Sequence, residues 1–411
     1  MADNKDKKVL NVPALRFPEF PEEWKEHYLA EYLDFKNGLN PNANKFGSGI
    51  KFISVMDILN NDFITYDCIR TSVEITPEEQ VAFAVEKGDM LFQRSSETLE
   101  DVGRANVYMD DRSAVFGGFV IRGKKKAEYN PMFFRYLLAS PYARKKVIPM
   151  GAGAQHFNIG QDGLSKVKLH FPILQEQQKI ADLLQLINER ISTQNKIIEK
   201  YESLILAMCD TLISKEEQQV MLSFNEFGQS YSGLSGKSAD DFGEGYPYIT
   251  YMNVYQNQII DSADIGLVKI NETEQQSVVR YGDILLTLSS ETPEEVGMGA
   301  VYLGETYPMY LNSFCFGIHI TDESKIYPPF LTYYVSSQLF RKAVYPLAQG
   351  STRFNLQKND FMKKKFSFPV IEKQRQTYSI LKTYSDKLIV EKQIMKLLCN
   401  QKCYLLRQLF I

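Results

Sequence analysis

The feature that most constrains the fold of this chain is an internal repeat. Residues 85–91 (VEKGDML) align with residues 279–285 (VRYGDIL), and the same shift of 194 residues pairs Ser95-Ser96-Glu97-Thr98 with Ser289-Ser290-Glu291-Thr292. Further on, Phe157-Asn158 and Phe171-Pro172 match Phe354-Asn355 and Phe368-Pro369 at a shift of 197 residues. A drift of three residues requires only short loop insertions, so the repeat predicts two domains of one fold.

Each copy consists of a globular part and a long helix. The globular part combines short β-branched runs, Gly-Asp turns and helical patterns at residues 131–146 and 328–342, which predicts an α/β (α+β) domain. A heptad alternation of apolar residues then begins at Ile180 and recurs 197 residues later. The predicted boundaries are globular domains at residues 1–172 and 215–369, and helices at residues 173–214 and 370–411.

The apolar stripes predict that the two helices pack on each other, since either stripe alone would face water. Nine of ten seam positions are apolar in the first helix and seven of ten in the second, where Thr377, Glu391 and Lys402 interrupt the pattern. The predicted seam comprises Ile180, Leu184, Ile187, Ile191, Ile198, Tyr201, Ile205, Leu381, Leu388, Met395, Leu398 and Leu405. If a pseudo-two-fold axis relates the copies, the helices run antiparallel with a globular domain at each end.

Composition excludes several classes of protein. The 411 residues include 44% hydrophobic and 24% charged residues, and no run approaches the ~20 apolar residues of a membrane span. The polar segment Met1 to Lys8 has no apolar stretch behind it, so we expect a cytoplasmic protein without a secretory signal. Five scattered cysteines without CxxC spacing and four dispersed histidines predict neither a disulfide framework nor a metal site.

Charge is distributed unevenly along the chain. The net charge of −3 and pI near 6.0 argue against a protein that coats nucleic acid through bulk charge. By segment, the net charge is 0 for residues 1–174, −6 for 215–370, −2 for 175–214 and +5 for 371–411. The opposite signs of the two helical segments favour their pairing.

The order of the parts resembles the specificity subunit of a type I restriction-modification system. The matching residues are Phe171-Pro172 before Gln175-Glu176-Gln177, Phe368-Pro369 before Gln374, and the turns Gly151-Ala152-Gly153 and Gly350-Ser351-Thr352 that lead into Phe-Asn. The resemblance covers essentially the whole chain. It implies that the globular parts are target recognition domains for a bipartite DNA sequence, and that the helices are a spacer and docking surface.

The resemblance also implies the partners. These are double-stranded DNA, two methyltransferase subunits, and restriction subunits that attach through the methyltransferase subunits, with no membrane. The chain itself would bind no cofactor, because S-adenosylmethionine, ATP and magnesium would belong to the partner subunits. A protein scaffold that does not bind DNA, and less favourably a stand-alone DNA methyltransferase, are the alternatives.

Catalytic motifs are incomplete in the sequence. Asn130-Pro131-Met132-Phe133 and Tyr327-Pro328-Pro329-Phe330 each lack one member of the Asn/Asp-Pro-Pro-aromatic loop of amino-methylating enzymes. Both sites are also suited to proline at the start of a helix. No G-x-x-x-x-G-K-[ST] motif is present. These patterns predict a non-catalytic subunit.

Two repeated loops are candidates for DNA contact, with a structural alternative. Ser95, Ser96, Glu97, Ser289, Ser290 and Glu291 carry groups that can contact base edges. However, Thr292-Pro293-Glu294-Glu295 is typical of a helix start, and near-identity between domains that recognise different half-sites favours a shared scaffold role. We favour the scaffold role, and DNA contact by these loops is the alternative.

Positions that differ between the copies are better candidates for discrimination. These are Gln93, Arg94, Gln155, His156, Thr352 and Arg353. Arginine and glutamine can engage guanine or adenine through two hydrogen bonds. Basic clusters available for phosphates include Lys124, Lys125, Arg144, Lys145, Arg341 and Lys342. A solvated helix face or turn is the commoner explanation for any one cluster.

Overall fold

The structure, a computed structural model, describes residues 11–305 and 307–411, so the segment Met1 to Lys8 lies outside the described residues. The chain divides into two compact units. Unit 1 comprises Met1–Asn195 and Ile394–Ile411, and unit 2 comprises Lys196–Gln393. Each unit therefore contains one globular domain and a portion of both long helices.

Unit 1 contains eleven short strands among its described residues. They are β1 (Lys25–Tyr28), β2 (Leu33–Asn37), β3 (Phe46–Ile53), β4 (Ser72–Val73), β5 (Met90–Gln93), β6 (Ser95–Ser96), β7 (Ala105–Val107), β8 (Val115–Phe116), β9 (Val120–Lys125), β10 (Phe157–Asn158) and β11 (Lys168–Phe171). A four-stranded sheet has the order β2-β9-β5-β7, and a three-stranded sheet has the order β4-β3-β8. The pairs β1·β11 and β6·β10 form separate ladders.

The helices of unit 1 are short apart from the last. They are α1 (Leu29–Tyr32), α2 (Val55–Asn60), α3 (Pro77–Ala82), α4 (Pro131–Ala139), α5 (Pro141–Val147), α6 (Gln161–Ser165) and α7 (Leu174–Ser214), with 3-10 turns at Ala43–Lys45 and Ile148–Met150. The helical pattern predicted for residues 131–146 is divided at Ser140. Its side chain accepts from the Ala143 amide and so begins α5, with Pro141 in the first turn.

Unit 2 repeats this architecture. Its strands are β12 (Gln219–Ser223), β13 (Gly228–Ser232), β14 (Phe242–Ile249), β15 (Ile265–Val268), β16 (Ile284–Thr287), β17 (Ser289–Ser290), β18 (Gly299–Val301), β19 (Tyr310–Leu311), β20 (Cys315–Ile320), β21 (Ala348–Gln349), β22 (Phe354–Leu356) and β23 (Lys365–Pro369). The sheet orders β13-β20-β16-β18 and β15-β14-β19 correspond strand for strand to those of unit 1. The predicted α/β (α+β) class and internal repeat are therefore confirmed.

The helices of unit 2 also follow the repeat. They are α8 (Tyr251–Gln256), α9 (Leu331–Tyr334), α10 (Gln338–Val344), α11 (Lys358–Lys363) and α12 (Ile371–Gln408), with 3-10 turns at Phe224–Glu226, Ala239–Asp241, Pro293–Glu295, Pro328–Phe330 and Tyr345–Leu347. The helix start expected at Thr292 is only the 3-10 turn Pro293–Glu295, and the Thr292 side chain makes no capping hydrogen bond. Thr98, the equivalent residue of unit 1, also precedes a turn and not a helix.

The repeated Gly-Asp turn leads into the central strand of each four-stranded sheet. Gly88 and Gly282 adopt φ of +92° and +85°, a region that favours glycine. The buried Asp89 carboxylate accepts from the backbone amides of Glu86 and Lys125, and Asp283 likewise accepts from the Arg280 amide. Burial raises the pKa of Asp89. The motif therefore closes its own turn and fixes where β5 and β16 begin.

Both long helices contribute to the cores of the units. In unit 1, Ile180, Leu184 and Ile187 share a hydrophobic core with Leu405 and Leu409. Each of the twelve side chains of the predicted seam is buried or half-buried.

The direction of the helices is defined within unit 2. There Lys373 in the first turn of α12 pairs with Glu216, two residues after the end of α7, and Lys392 pairs with Glu202 on α7. Residue numbers thus rise along one helix as they fall along the other, so the two segments run antiparallel.

A buried glutamine attaches each helix to its domain. Gln177 donates from Nε2 to the Pro172 carbonyl at 2.9 Å and accepts from the Asn130 amide at 3.0 Å. Gln374 makes the same pair of bonds to the Pro369 carbonyl and the Tyr327 amide. Because unpaired backbone groups are costly when buried, this glutamine stabilises the junction between strand and helix.

The described residues contain neither a membrane-spanning helix nor a cluster of metal ligands. No helix within them is long and apolar enough to cross a membrane. No group of three or more histidine, cysteine, aspartate or glutamate side chains in the same part of the chain could hold a metal ion.

Candidate nucleic-acid interface

The same small ladder joins two of the predicted contact loops in each unit. In unit 1, Ser95 pairs with Asn158 and Ser96 with Phe157. In unit 2, Ser289 pairs with Asn355 and Ser290 with Phe354. The identical register brings the Ser-Ser-Glu loop beside the loop that precedes Phe-Asn, although about 60 residues separate them in sequence.

A glycine shapes the second loop in both units. Gly153 and Gly350 adopt φ of +146° and +140°. A Cβ atom on either would lie about 2 Å from the carbonyl oxygen of His156 or Arg353, so a larger residue would clash with backbone. The glycine therefore allows a tight loop that presents the residues before Phe157 and Phe354.

The presented residues differ between the units and face solvent. Gln155 and His156 are exposed in unit 1, and Thr352 and Arg353 are exposed in unit 2. The Arg353 guanidinium lies 5.9 Å from the centroid of the Phe314 ring, a cation–π arrangement. Within the described part of the chain it pairs with no carboxylate, so its hydrogen-bond donors are available to a ligand.

In unit 2 these loops surround a hollow of about 400 Å³. The side chains that line it are Tyr251, Met252, Tyr255, Ser289, Ser290, Glu291, Glu295, Phe314 and Arg353. The rings of Tyr251 and Tyr255 are nearly parallel, with centroids 6.0 Å apart and an angle of 16° between their planes. Aromatic faces, a carboxylate and a guanidinium are thus assembled where base edges could be contacted.

Hydrogen bonds fix the polar wall of this hollow. The Ser290 hydroxyl donates to Glu295 at 3.1 Å, and the Tyr251 hydroxyl donates to the Ser289 carbonyl at 2.9 Å. Hydrogen bonds from Tyr255, Thr292 and Ser290 lower the pKa of Glu295, so this carboxylate is ionised at neutral pH. Glu291, in contrast, is exposed at the edge of the hollow.

The corresponding surface of unit 1 is chemically different. Val55, Met56 and Leu59 on α2 occupy the positions of Tyr251, Met252 and Tyr255 on α8. Met56 and Leu59 are exposed, with 61% and 42% of their surface accessible. The two units therefore offer one backbone frame with different side chains upon it.

The repeated serines have structural partners. Ser95 hydrogen bonds to the Asn158 side chain, while Ser96 and Ser290 accept from the amides of Thr98 and Thr292. These contacts favour the scaffold interpretation of the serines. Glu97 and Glu291 are exposed, and their roles as DNA contacts stay predictions.

Gln93 does not face solvent. It lies at the end of β5, the strand between β9 and β7, and is only 5% exposed. Its Nε2 donates to the Ser95 carbonyl. Burial disagrees with a role in contacting bases, and this residue instead supports the loop. Arg94 is half-buried, and its guanidinium donates to the Gly118 carbonyl at 3.3 Å.

The repeated arginine on α5 and α10 braces the loop after Ser-Ser-Glu. Arg144 donates from Nη2 to the carbonyls of Glu100 and Val102. Arg341 donates from Nη2 to Glu294 and Val296 and from Nη1 to Gly297. Backbone carbonyls thus occupy three of the five N–H donors of Arg341, and a phosphate contact by this residue stays a prediction.

The lysines of β9 do not lie beside the loops. Lys124 and Lys125 lie at the far end of β9, since Gln93 pairs with Val120 at the near end. They form ion pairs with Glu86 and Glu128, both at 3.3 Å. Lys145 and Lys342 are exposed on α5 and α10. A solvated surface explains Lys124 and Lys125 without any ligand.

Sequence reasoning missed the aromatic residues of this surface. Phe119 and Phe314 precede equivalent strands, β9 and β20, and are 68% and 56% exposed. Their shared position at a shift of 195 residues was the available signal. Tyr251 and Tyr255 could have been found from their spacing of four residues, which places both side chains on one face of a helix.

Comparisons with known proteins agree with the repeat. A family model described as type I restriction modification DNA specificity domain matches the chain twice, over residues 21–203 and 225–399. A putative type I restriction enzyme MjaX specificity subunit from Methanocaldococcus jannaschii is 22% identical over 412 residues, covering 93% of this chain and 92% of the relative.

Solved structures share the fold. The S subunit of a type I restriction-modification system from M. genitalium has a TM-score of 0.54 at 16% identity, covering 97% of this chain and 99% of that chain. The HsdS subunit from Thermoanaerobacter tengcongensis has a TM-score of 0.52 at 14% identity, covering 96% and 99%. At these identities the likeness concerns the fold alone.

Proposed function

The chain belongs to the type I restriction modification DNA specificity family and is a DNA specificity subunit of such a system, and on that premise we propose that each globular domain recognises one half of a bipartite target. The observation that carries this proposal is the repeated ladder of Ser-Ser with Phe-Asn. One frame presents Gln155 and His156 in unit 1 but Thr352 and Arg353 in unit 2. Different side chains on one frame suit two different half-sites.

The surface chemistry of the two units supports different base preferences. Arg353 has free donors that could engage guanine, and Tyr255 and Glu291 add polar groups beside it. The apolar Met56 and Leu59 of unit 1 suit contact with thymine methyl groups instead. The alternatives of a protein scaffold and a stand-alone methyltransferase are not favoured by the family.

The proposal also covers the role of this chain within a complex of several subunits. The chain acts without catalysing a reaction, in the cytoplasm, and docks two methyltransferase subunits that in turn hold restriction subunits. S-adenosylmethionine, ATP and magnesium bind to those partners and not to this chain. Absence of a methylation motif or a P-loop in the sequence supports this division.

Apolar side chains exposed on the long helices support docking there. Leu206, Ile389 and Leu397 are 58%, 54% and 67% exposed, outside the seam between the helices. Buried apolar surface drives most protein association, so these residues suit a partner subunit. Leu397→Glu should weaken assembly with the methyltransferase subunit in size-exclusion chromatography. Lys396→Glu, which adds the same side chain at the adjacent exposed position, should not.

Footprinting on random duplex DNA tests the function itself. The net charges of 0 and −6 on the globular segments leave little long-range attraction for DNA. The chain alone should therefore bind weakly and with strong salt dependence, whereas the chain with its methyltransferase partner should protect two short blocks separated by unprotected bases. A single continuous block would contradict two half-sites, and no protection with the partner would support a scaffold.

A further inference from the structure

Three arginines surround a hollow in unit 1 that is separate from the ladder of contact loops. Arg104, Arg135 and Arg144 line this space of about 270 Å³, together with Glu100 and the apolar Ile58 and Leu59 of α2. We call this space the arginine cleft. Arg104 lies in the loop just before β7, Arg135 lies on α4, and Arg144 lies on α5.

The charges of the arginine cleft are incompletely neutralised. Arg104 pairs with the carboxylate of Asp101 at 2.6 Å. Arg135 donates from Nε to the Asp62 carbonyl at 3.1 Å and to the Asn106 side-chain oxygen at 3.0 Å, which are neutral acceptors.

Arg144 is the least satisfied of the three. Its Nη2 donates to two backbone carbonyls, while its Nη1 is buried and has no hydrogen-bond partner among the described residues. A buried donor without an acceptor, on a cation that contacts no carboxylate in that part of the chain, is unfavourable. Burial and then the nearby Arg104 lower the pKa of Arg144 to about 10, which reflects this unfavourable environment.

Unit 2 shows that the scaffold does not require this cluster. Arg341 occupies the position of Arg144, and its Nη1 and Nη2 donate to three carbonyls. Met298 and Thr332 occupy the positions of Arg104 and Arg135. The same framework therefore folds with a single arginine here, and the two additional cations of unit 1 need another explanation.

We infer that the arginine cleft binds a phosphate group. Arginine guanidinium groups match phosphate oxygens in charge and in hydrogen-bond geometry. A phosphate would neutralise the excess charge and offer acceptors to donors that the protein leaves unpaired. Glu100 and Asp62 are the further acidic residues nearby, and neither forms an ion pair with Arg135 or Arg144 in the described structure.

The position of the cleft favours DNA as the source of that phosphate. The Gln93 amide donates to the Arg104 carbonyl at 2.8 Å, and the Gly103 amide donates to the Gln93 carbonyl at 2.9 Å. Gln93 in turn holds the Ser95 carbonyl of the contact loop. The assignment of the phosphate to DNA rests on the proposed function, whereas phosphate binding itself does not. A free phosphate compound is the other source.

The test uses the full chain and a double variant that borrows the residues of unit 2. Arg104→Met with Arg135→Thr removes two cations, and Lys25→Gln with Lys166→Gln removes two exposed cations elsewhere in unit 1 as the matched control. Thermal unfolding is followed in sodium phosphate and in sodium chloride of equal ionic strength. Fluorescence of Trp24, which lies in the core of unit 1, verifies that each variant is folded.

Phosphate should raise the melting temperature of the natural chain and of the control, but not that of Arg104→Met/Arg135→Thr. An equal effect of phosphate on all three proteins, or on none, would overturn the site. In the complex with methyltransferase subunits, the salt dependence of DNA binding identifies the source. A slope reduced by about one in the double variant and unchanged in the control assigns the site to DNA. If the double variant loses the effect of phosphate on melting temperature but keeps the salt slope of DNA binding, the site binds a free phosphate compound. Failure of the complex to bind DNA at all would refute the proposed function alone.

Discussion

Replacing Gln374 by leucine should destabilise unit 2 selectively. Gln374 is fully buried at the start of α12, accepts from the Tyr327 amide and donates to the carbonyls of Pro369 and Lys325. Leucine is similar in size but leaves these three backbone groups without their partner. At roughly 1 kcal/mol for each of the three lost hydrogen bonds, the cost is about 3 kcal/mol.

Urea unfolding followed by circular dichroism measures this cost. With a slope of roughly 2 kcal/mol per molar urea, the midpoint of the affected transition should fall by about 1–2 M. Gln376→Leu is the matched control, since Gln376 is exposed two residues away on the same helix. Gln177→Leu should make the equivalent change in unit 1, visible in the fluorescence of Trp24, the only tryptophan. Equal midpoints for Gln374→Leu and Gln376→Leu would refute the structural role of this bond pair.

Three further predictions concern recognition, thiol accessibility and geometry. Arg353→Ala should reduce discrimination between bases in one half-site by about 1–3 kcal/mol and leave the other half-site unchanged, as measured by methylation-site sequencing. An equal loss of affinity for all sequences would indicate a phosphate contact instead. Burial raises the pKa of Cys209 and Cys315 to about 12, so these thiols stay protonated at pH 8 and should react with Ellman's reagent only after unfolding. The exposed Cys399 and Cys403 should react at once. Rapid modification of four or more thiols in the folded chain would contradict this burial. Inserting seven residues into both long helices keeps the heptad register and lengthens each helix by ~10 Å. The spacer between half-sites should therefore change by about three base pairs. An unchanged spacer would show that the helices do not set the spacer length.

The repeat and the long helices could be predicted because their signals are periodic and local. The heptad spacing from Ile180 survives in a helix of 41 residues, Leu174–Ser214. The Gly-Asp turn was visible because an acidic residue after glycine closes the turn by itself, as Asp89 does. Patterns of this kind depend on neighbours within a few residues, which the sequence displays directly.

The contact surface could be predicted only in outline, because it depends on pairing between distant segments. Gln93 is buried because β5 lies between β9 and β7, a sheet order that no local pattern reveals. Arg341 is occupied by carbonyls more than 40 residues away. Thr292 makes no cap because only a three-residue turn forms after it. Exposure of Arg353 likewise follows from the strand register of β17 with β22.

The most direct test of the account is to replace residues 215–369 by the recognition domain of another specificity subunit and to map methylated sites by sequencing. The chimaera, expressed with the methyltransferase subunit, keeps unit 1's contact loops and both long helices. We predict that one half of the methylated sequence changes, while the other half and the spacer length stay as they are. A target altered in both halves would contradict independent recognition by the two domains.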